Sequence, residues 1–439
     1  MGTERQSFLR DSSYSLIAKI SMALARGLGI LAISRTLGPE QYGQYAIVLN
    51  TYVVMVMVGG LGLEQANTYF VGRNPQASRA LLINAGTTSL ALGLATVGLF
   101  LLLVRLCTGW LFEPSAAGLM RESMLFVPPA ILHQQLAGVV VGLARFRYYA
   151  LAEVGKWGTY LAVILVLSAT GLLNGRSALQ VFYLVICLTG CLHAAMIHVA
   201  ARRLGTVDLS RGELARRTLH YGMRAFIVNL VNLLNFRFDL YLVKYFRSLA
   251  EVGNYSLGMN LAEIVLYFGR SIHVVLFSRI SSNQEQTRTL TPSIARHTLL
   301  FVLGLTTCIL LVKDTLIDAV LGDGYAACAN VVTLTLPGIV AQSLTLVLMA
   351  DLLGRGRLRP VIVSALLSFV LMVGLDLMWI AHYGINAAAV ASTLAYGAQC
   401  VFLLRHHAAA THERAGRYLF VNRRELADFL GRLRRQVPV

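Results

Sequence analysis

Long apolar runs separated by short polar segments recur along almost the whole chain. About twelve of them hold 20 or more mostly apolar residues, enough to cross a hydrocarbon core roughly 30 Å thick at about 1.5 Å per residue. The pattern predicts helices over residues 12–36, 42–70, 80–106, 117–143, 148–171 and 177–203. A second set follows at 219–246, 251–280, 293–315, 325–353, 358–381 and 384–406. The connecting segments are short, and none reads as a separate soluble domain. The expected fold class is therefore an all-α polytopic membrane protein with about 12 transmembrane helices.

The two sets of six are related by a repeat. Residues 37–50, LGPEQYGQYAIVLN, align with residues 247–260, RSLAEVGNYSLGMN, at an offset of 210, which puts Gly253 on Gly43, Tyr255 on Tyr45 and Asn260 on Asn50. The same register puts Leu321 and Asp323 on Leu111 and Glu113, and Arg355 and Arg357 on Arg145 and Arg147. One register held over three segments indicates a duplicated unit, as in many transporters. The expected domains are an N-terminal six-helix lobe (1–203), a basic linker (204–218), a C-terminal six-helix lobe (219–406) and a basic tail (407–439). With an even number of spans each, the lobes should be related by a pseudo-twofold axis along the membrane normal, with the substrate path between them.

Composition agrees: 56% of the 439 residues are apolar, 13% are charged, and mean hydropathy is +0.64. A net charge of +17 would suit a nucleic-acid binder, but its distribution argues otherwise. Arginines cluster in alternate loops, around Arg73 and Arg79, Arg145 and Arg147, Arg202 to Arg217, and Arg355 to Arg359. The intervening loops carry Glu40, Glu113, Glu251 and Asp323 instead. By the positive-inside rule both termini are cytoplasmic, and no nucleic-acid partner is implied. In the tail, residues 423–435 place Leu426, Phe429, Leu430 and Leu433 on one helical face and arginines on the other. This suits a helix lying on an anionic inner leaflet. The pairs Gly59-Gly60 and Pro128-Pro129 are expected bends.

No catalytic signature is present: no phosphate-binding glycine loop with its lysine, no paired-cysteine metal site, no HExxH and no nucleophile elbow. An enzyme, a cofactor and a metal are therefore not expected. What remains is ionisable residues inside spans, each costing about 2.5–3.5 kcal/mol at the membrane centre unless it faces a cavity or a partner. The first span carries Lys19 and Arg26, seven apart on one face. The seventh carries Arg237 and Asp239, and Asn232, Asn235 and Asp239 follow i, i+3, i+7 as a polar stripe. The eighth adds Glu263 and Arg270, and the fifth adds Glu153 and Lys156. Lys19, Arg26, Arg237, Asp239, Glu263 and Arg270 have no charged counterpart at the 210 offset. A one-sided charge is explained either by an ion pair between helices or by an asymmetric ligand. Deep cations on spans 1 and 7, which hold equivalent places, favour a cationic cavity for an anion.

The run from Ser34 to Gly43, SRTLGPEQYG, resembles the first loop of bacterial polysaccharide flippases, of the O-antigen type, in the multidrug/oligosaccharidyl-lipid/polysaccharide exporter superfamily. Leu321 to Tyr325 and His382 to Ala389 resemble that family too, and the likeness covers about residues 10–406. It implies two six-helix lobes in a V, alternating access, and flipping of a polyprenyl-pyrophosphate-linked oligosaccharide across a bacterial inner membrane for surface polysaccharide assembly. Polysaccharide polymerases or ligases are candidate partners, which the sequence does not decide. For such a substrate Arg26 and Arg237 are the leading diphosphate ligands, and Lys19 and Arg270 its approach. Tyr52, Asn232 and Asn235 are the glycan candidates, and Asp239 and Glu263 the candidate coupling acids. The alternatives are a multidrug cation antiporter of the same superfamily, whose cavity should be acidic or aromatic, and a non-transporting scaffold in envelope assembly.

Overall fold

The computed structural model describes residues 2–106, 114–204, 211–282, 290–411 and 415–419, with side chains, apart from a few positions, from Ser21 onward. The first half holds α1 (Gly2–Gly60), α2 (Leu63–Arg73), α3 (Ser78–Leu106), α4 (Pro114–Met124), α5 (Val127–Gly142), α6 (Phe146–Ala169) and α7 (Gly175–Leu204). The second holds α8 (Arg211–Phe246), α9 (Leu249–Ala262), α10 (Leu266–Ser282), α11 (Leu290–Val320), α12 (Ala326–Gly354), α13 (Leu358–Tyr383) and α14 (Ile385–Thr411), then the short α15 (Gly416–Leu419). Among the described residues there is no strand.

Among the described residues, nine helical stretches are long and apolar enough to span a membrane, and two bent pairs raise this to 11. One of the nine, Ser21–Gly60, is 40 residues long, far more than one crossing needs. It is divided at Gly38, whose φ of 71° and ψ of 170° interrupt the helix, with Pro39 next in the chain. Glycine takes this conformation without a Cβ clash, and the proline starts a new helix because its missing N–H would have no partner there. With α1 counted as two stretches (21–37 and 39–60), the described residues hold up to twelve candidate spans, in line with the about twelve that the sequence predicts.

The other breaks also have local causes. Leu61 and Gly62 adopt positive φ, so the chain turns just after the Gly59-Gly60 pair. α4 and α5 meet at 45°, and Pro128 and Pro129 occupy the first turn of α5, where they cost no helical hydrogen bond. α8 bends by 45° between Ile227 and Asn229.

The repeat has a direct structural expression. A Cβ on Gly43 would lie 2.0 Å from the Leu249 carbonyl oxygen, and one on Gly253 would lie 2.0 Å from the Pro39 carbonyl oxygen. Residue 39 pairs with 249, and 43 with 253, at the 210 offset, so these contacts exchange under a twofold. The equivalent glycines therefore flank the pseudo-symmetry axis and let α1 and α9 touch backbone to backbone. Ser248 begins α9 with a capping box closed by Glu251, which fixes how Gly253 is presented. Tyr42 and Tyr325 pack edge-on beside this junction, and the Tyr325 hydroxyl donates to the Ser34 carbonyl at 2.8 Å.

This is the acidic end of the molecule, named for Glu40, Glu251 and Asp323. The opposite, basic end carries Arg73, Arg145, Arg147, Arg355 and Arg357. There the halves touch again: Gly62 packs on the Gly222 carbonyl, Tyr69 stacks on Tyr221 at 4.4 Å, and Asn84 Nδ2 donates to Thr218 Oγ1 at 3.3 Å.

Candidate functional site

Between the two junctions lies a cavity of about 730 Å³, walled by both halves. Arg26 of α1, Arg237 of α8 and Arg270 of α10 line it, together with Asn50, Asn232 and Asn260. Three guanidiniums lining one chamber are costly in a low-dielectric interior unless an anion or a carboxylate meets them. One carboxylate, Glu64, lines the cavity, and a second, Glu263, meets the arginines from behind the lining, its Oε2 lying 3.4 Å from Arg237 Nη2 and 3.9 Å from Arg270 Nη2. Glu263 is buried behind the arginines, and its Oε1 has no hydrogen-bond partner among the described residues. Arg26 lies 5.9 Å from the Trp157 ring centroid, and Arg270 5.8 Å from that of Phe236, within cation–π range. The Arg237 backbone is tied across the halves by Asn50 Nδ2, which donates to its carbonyl at 3.3 Å.

The other sequence candidates fall elsewhere. Lys19 lies on α1, where its side chain is outside the described residues. Tyr52 does not line the cavity: it is buried in the first half, 4.6 Å from Tyr183 ring to ring, and its hydroxyl donates to the Phe126 carbonyl at 3.3 Å. Asn235 is also buried away from the cavity, donating to the Ala365 carbonyl of α13 at 2.8 Å. It holds two helices together and has no route to a ligand. Asp239 is buried too, and accepts from the Tyr255 hydroxyl at 2.6 Å and Ser392 Oγ at 3.4 Å. The amphipathic stretch at 423–435 lies outside the described residues.

Three further features were not singled out from the sequence. Asn50 and Asn260 both line the cavity, and they are equivalent positions of the repeat; that pairing was a usable signal. Gln134, His273 and Gln342 also reach it, with no spacing that betrays them. Asp376 on α13 is wholly buried, neither of its oxygens finds a hydrogen-bond partner among the described residues, and it feels the charge of Asp239.

A helical protein with about twelve spans and a polar, cation-lined chamber between two pseudo-symmetric halves is built as a transporter. Solved structures of that class share the fold. The lipid II flippase MurJ in an inward closed conformation aligns with a TM-score of 0.73 at 13% identity, over 93% of this chain and 89% of that one. An inward-facing multidrug resistance MATE family transporter of the MOP superfamily aligns with a TM-score of 0.72 at 13% identity, over 90% of this chain and 98% of that one. More narrowly, residues 31–330 match the family described as Polysaccharide biosynthesis protein, and the chain belongs to that family. The succinoglycan biosynthesis transport protein ExoT of Rhizobium meliloti (strain 1021) is 24% identical over 257 residues, 58% of this chain. The chain matches 50% of that relative's length.

Proposed function

We propose that this protein is a flippase for polyprenyl-pyrophosphate-linked oligosaccharide, working by alternating access across the bacterial inner membrane with both termini cytoplasmic. The observation that carries the reading is that Arg26 of the first half and Arg237 and Arg270 of the second all line the chamber between the halves. A diphosphate needs planar, multidentate donors, and guanidiniums supply them. Amide and aromatic side chains lining the same chamber suit a glycan, while the lipid tail stays in the bilayer. Glu263 holds Arg237 and Arg270 in place before substrate arrives and competes with it afterwards, so binding and release become an exchange of one anion for another. The glycine contacts at the acidic and basic ends are the two gates: each is a small backbone-to-backbone patch that opens without dismantling a core.

The multidrug cation antiporter has the same fold, but a cationic wall repels its substrates. Family and fold both point to transport and assign no catalysis. A polysaccharide polymerase or ligase would take the product on the far side.

The test is flipping of lipid-linked oligosaccharide in proteoliposomes by Arg26→Ala and Arg237→Ala at matched protein abundance. Both should lose activity, with partial recovery for Arg237→Lys, which keeps charge without the fork. Full activity in both alanine variants would remove the arginines from the site.

A further inference from the structure

Beside the central chamber, within the first half, lies a second cavity of about 250 Å³. Glu64, Gln134, Trp157, Tyr160 and Phe182 line both, so the two share a largely aromatic wall. The lining comes from α2, α5, α6 and α7. Tyr149, Glu153, Lys156 and Tyr160 follow one another at four, three and four residues along α6, which puts them on one helical face. Glu153 is buried, and its Oε1 accepts from Lys156 Nζ at 2.6 Å. Glu64 on α2 adds a second carboxylate, and His133 on α5 lies 3.5 Å from Lys156 Nζ through Nε2.

Neither the cationic wall nor the gates account for this chamber. Two carboxylates, an ammonium and an imidazole placed inside an apolar bundle are costly as scaffold, since the surrounding helices could pack more cheaply on leucine. Two of its donors are also unused: Trp157 Nε1 and His133 Nδ1 are buried with no acceptor among the described residues. Flat aromatic faces, paired carboxylates for adjacent hydroxyls and spare donors are together what one sugar ring requires. The volume equals that of about eight waters, which suits a single ring and excludes an oligosaccharide. Its position is equally specific. The Trp157 ring lies 5.9 Å from Arg26 on the diphosphate wall and 5.5 Å from Lys156 in the side chamber.

We propose that this side chamber binds the sugar residue attached directly to the diphosphate, so that the first monosaccharide is read while the outer glycan occupies the central cavity. The inference rests on the flippase reading, which places the diphosphate at the arginines. Two carboxylates against one ammonium select a neutral ring and reject one that bears its own carboxylate.

The experiment compares the affinity of the purified full-length protein for farnesyl diphosphate with that for farnesyl-diphosphate-linked glucose, galactose, N-acetylglucosamine and glucuronic acid. The ratio to the unsugared compound is the readout, because a substitution that merely disturbs Arg26 lowers both members equally. Wild type should bind at least one neutral glycosylated probe about tenfold tighter than farnesyl diphosphate, with no gain for glucuronic acid. Glu153→Gln and His133→Phe, both at positions that line the side chamber and not the central one, should each shrink the ratio while leaving farnesyl diphosphate binding within twofold. A ratio of one for every sugar in the wild type, or ratios unchanged in both variants, overturns the side-chamber site while the flippase reading stands. A preference for glucuronic acid overturns the charge selection. Failure of farnesyl diphosphate itself to bind the wild type refutes the diphosphate wall, and the side chamber with it.

Discussion

Replacing Glu263 by glutamine should tighten anion binding and slow transport. The carboxylate is 3.4 Å from Arg237 and 3.9 Å from Arg270. At an effective dielectric of 20, unit charges at these separations attract by about 5 and 4 kcal/mol. Much of that offsets the desolvation of a buried carboxylate, and a hydrogen bond to a charged group leaves a net of about 1.5–3 kcal/mol. A diphosphate entering the wild-type cavity must displace this partner; in Glu263→Gln it meets guanidiniums that are already released. The expected gain in affinity is about tenfold to a hundredfold. Release should slow by a similar factor, so the flipping rate falls although binding improves. Titration of the purified variant with farnesyl diphosphate, beside a thermal melt to verify folding, gives the first number, and a proteoliposome flip assay gives the second. Unchanged or weaker affinity in a folded variant would show that Glu263 does not compete with substrate for the arginines.

At the acidic gate, Gly43→Leu places side-chain atoms where the Leu249 carbonyl stands 2.0 Å from a Cβ. This should hold α1 and α9 apart, abolish flipping and expose Cys328, now wholly buried, to a water-soluble maleimide; normal transport with Cys328 still protected would refute the gate. Tyr52→Phe should cost about 1 kcal/mol of stability, from one lost hydrogen bond, and leave substrate affinity unchanged; a loss of affinity would return Tyr52 to the site. For coupling, Asp239 and its neighbour Asp376 are buried acids with no salt bridge among the described residues. Flipping by the wild type should respond to an imposed pH gradient, and Asp239→Asn should lose that response while retaining downhill flipping. A wild-type rate that ignores the gradient, or a variant that responds as wild type does, would exclude Asp239 as the coupling acid.

The span count, the two-part organisation and the cationic character of the cavity were legible in the sequence because each depends on long-range composition. Burying a charge or 20 apolar residues in lipid has few solutions. Which way an individual side chain points was less accessible. Asn232 and Asp239 are seven apart and share a helical face, as the stripe on the seventh span suggested. Only Asn232 reaches the cavity, because Tyr255 of α9 and Ser392 of α14 cover that face at the level of Asp239. Tyr52 was misplaced for a similar reason: it shares a span with Tyr45 and Asn50, which line the cavity, but is turned onto α5 and α7. Glu153 and Lys156 were recognisable as buried charges. Their meeting with His133 and Glu64 was not, because it depends on the packing of α2, α5 and α6, which no spacing within one helix records.

The central claim is that the chamber between the halves carries a lipid-linked glycan across the bilayer. Its most direct test is a reconstituted assay in which a polyprenyl-diphosphate oligosaccharide, labelled on the sugar, is loaded in one leaflet and its appearance in the other is followed by quenching from outside. Protein-dependent translocation that Arg237→Ala abolishes and excess farnesyl diphosphate inhibits is the predicted result. Translocation at the protein-free rate, or a rate indifferent to both Arg237→Ala and farnesyl diphosphate, would contradict it.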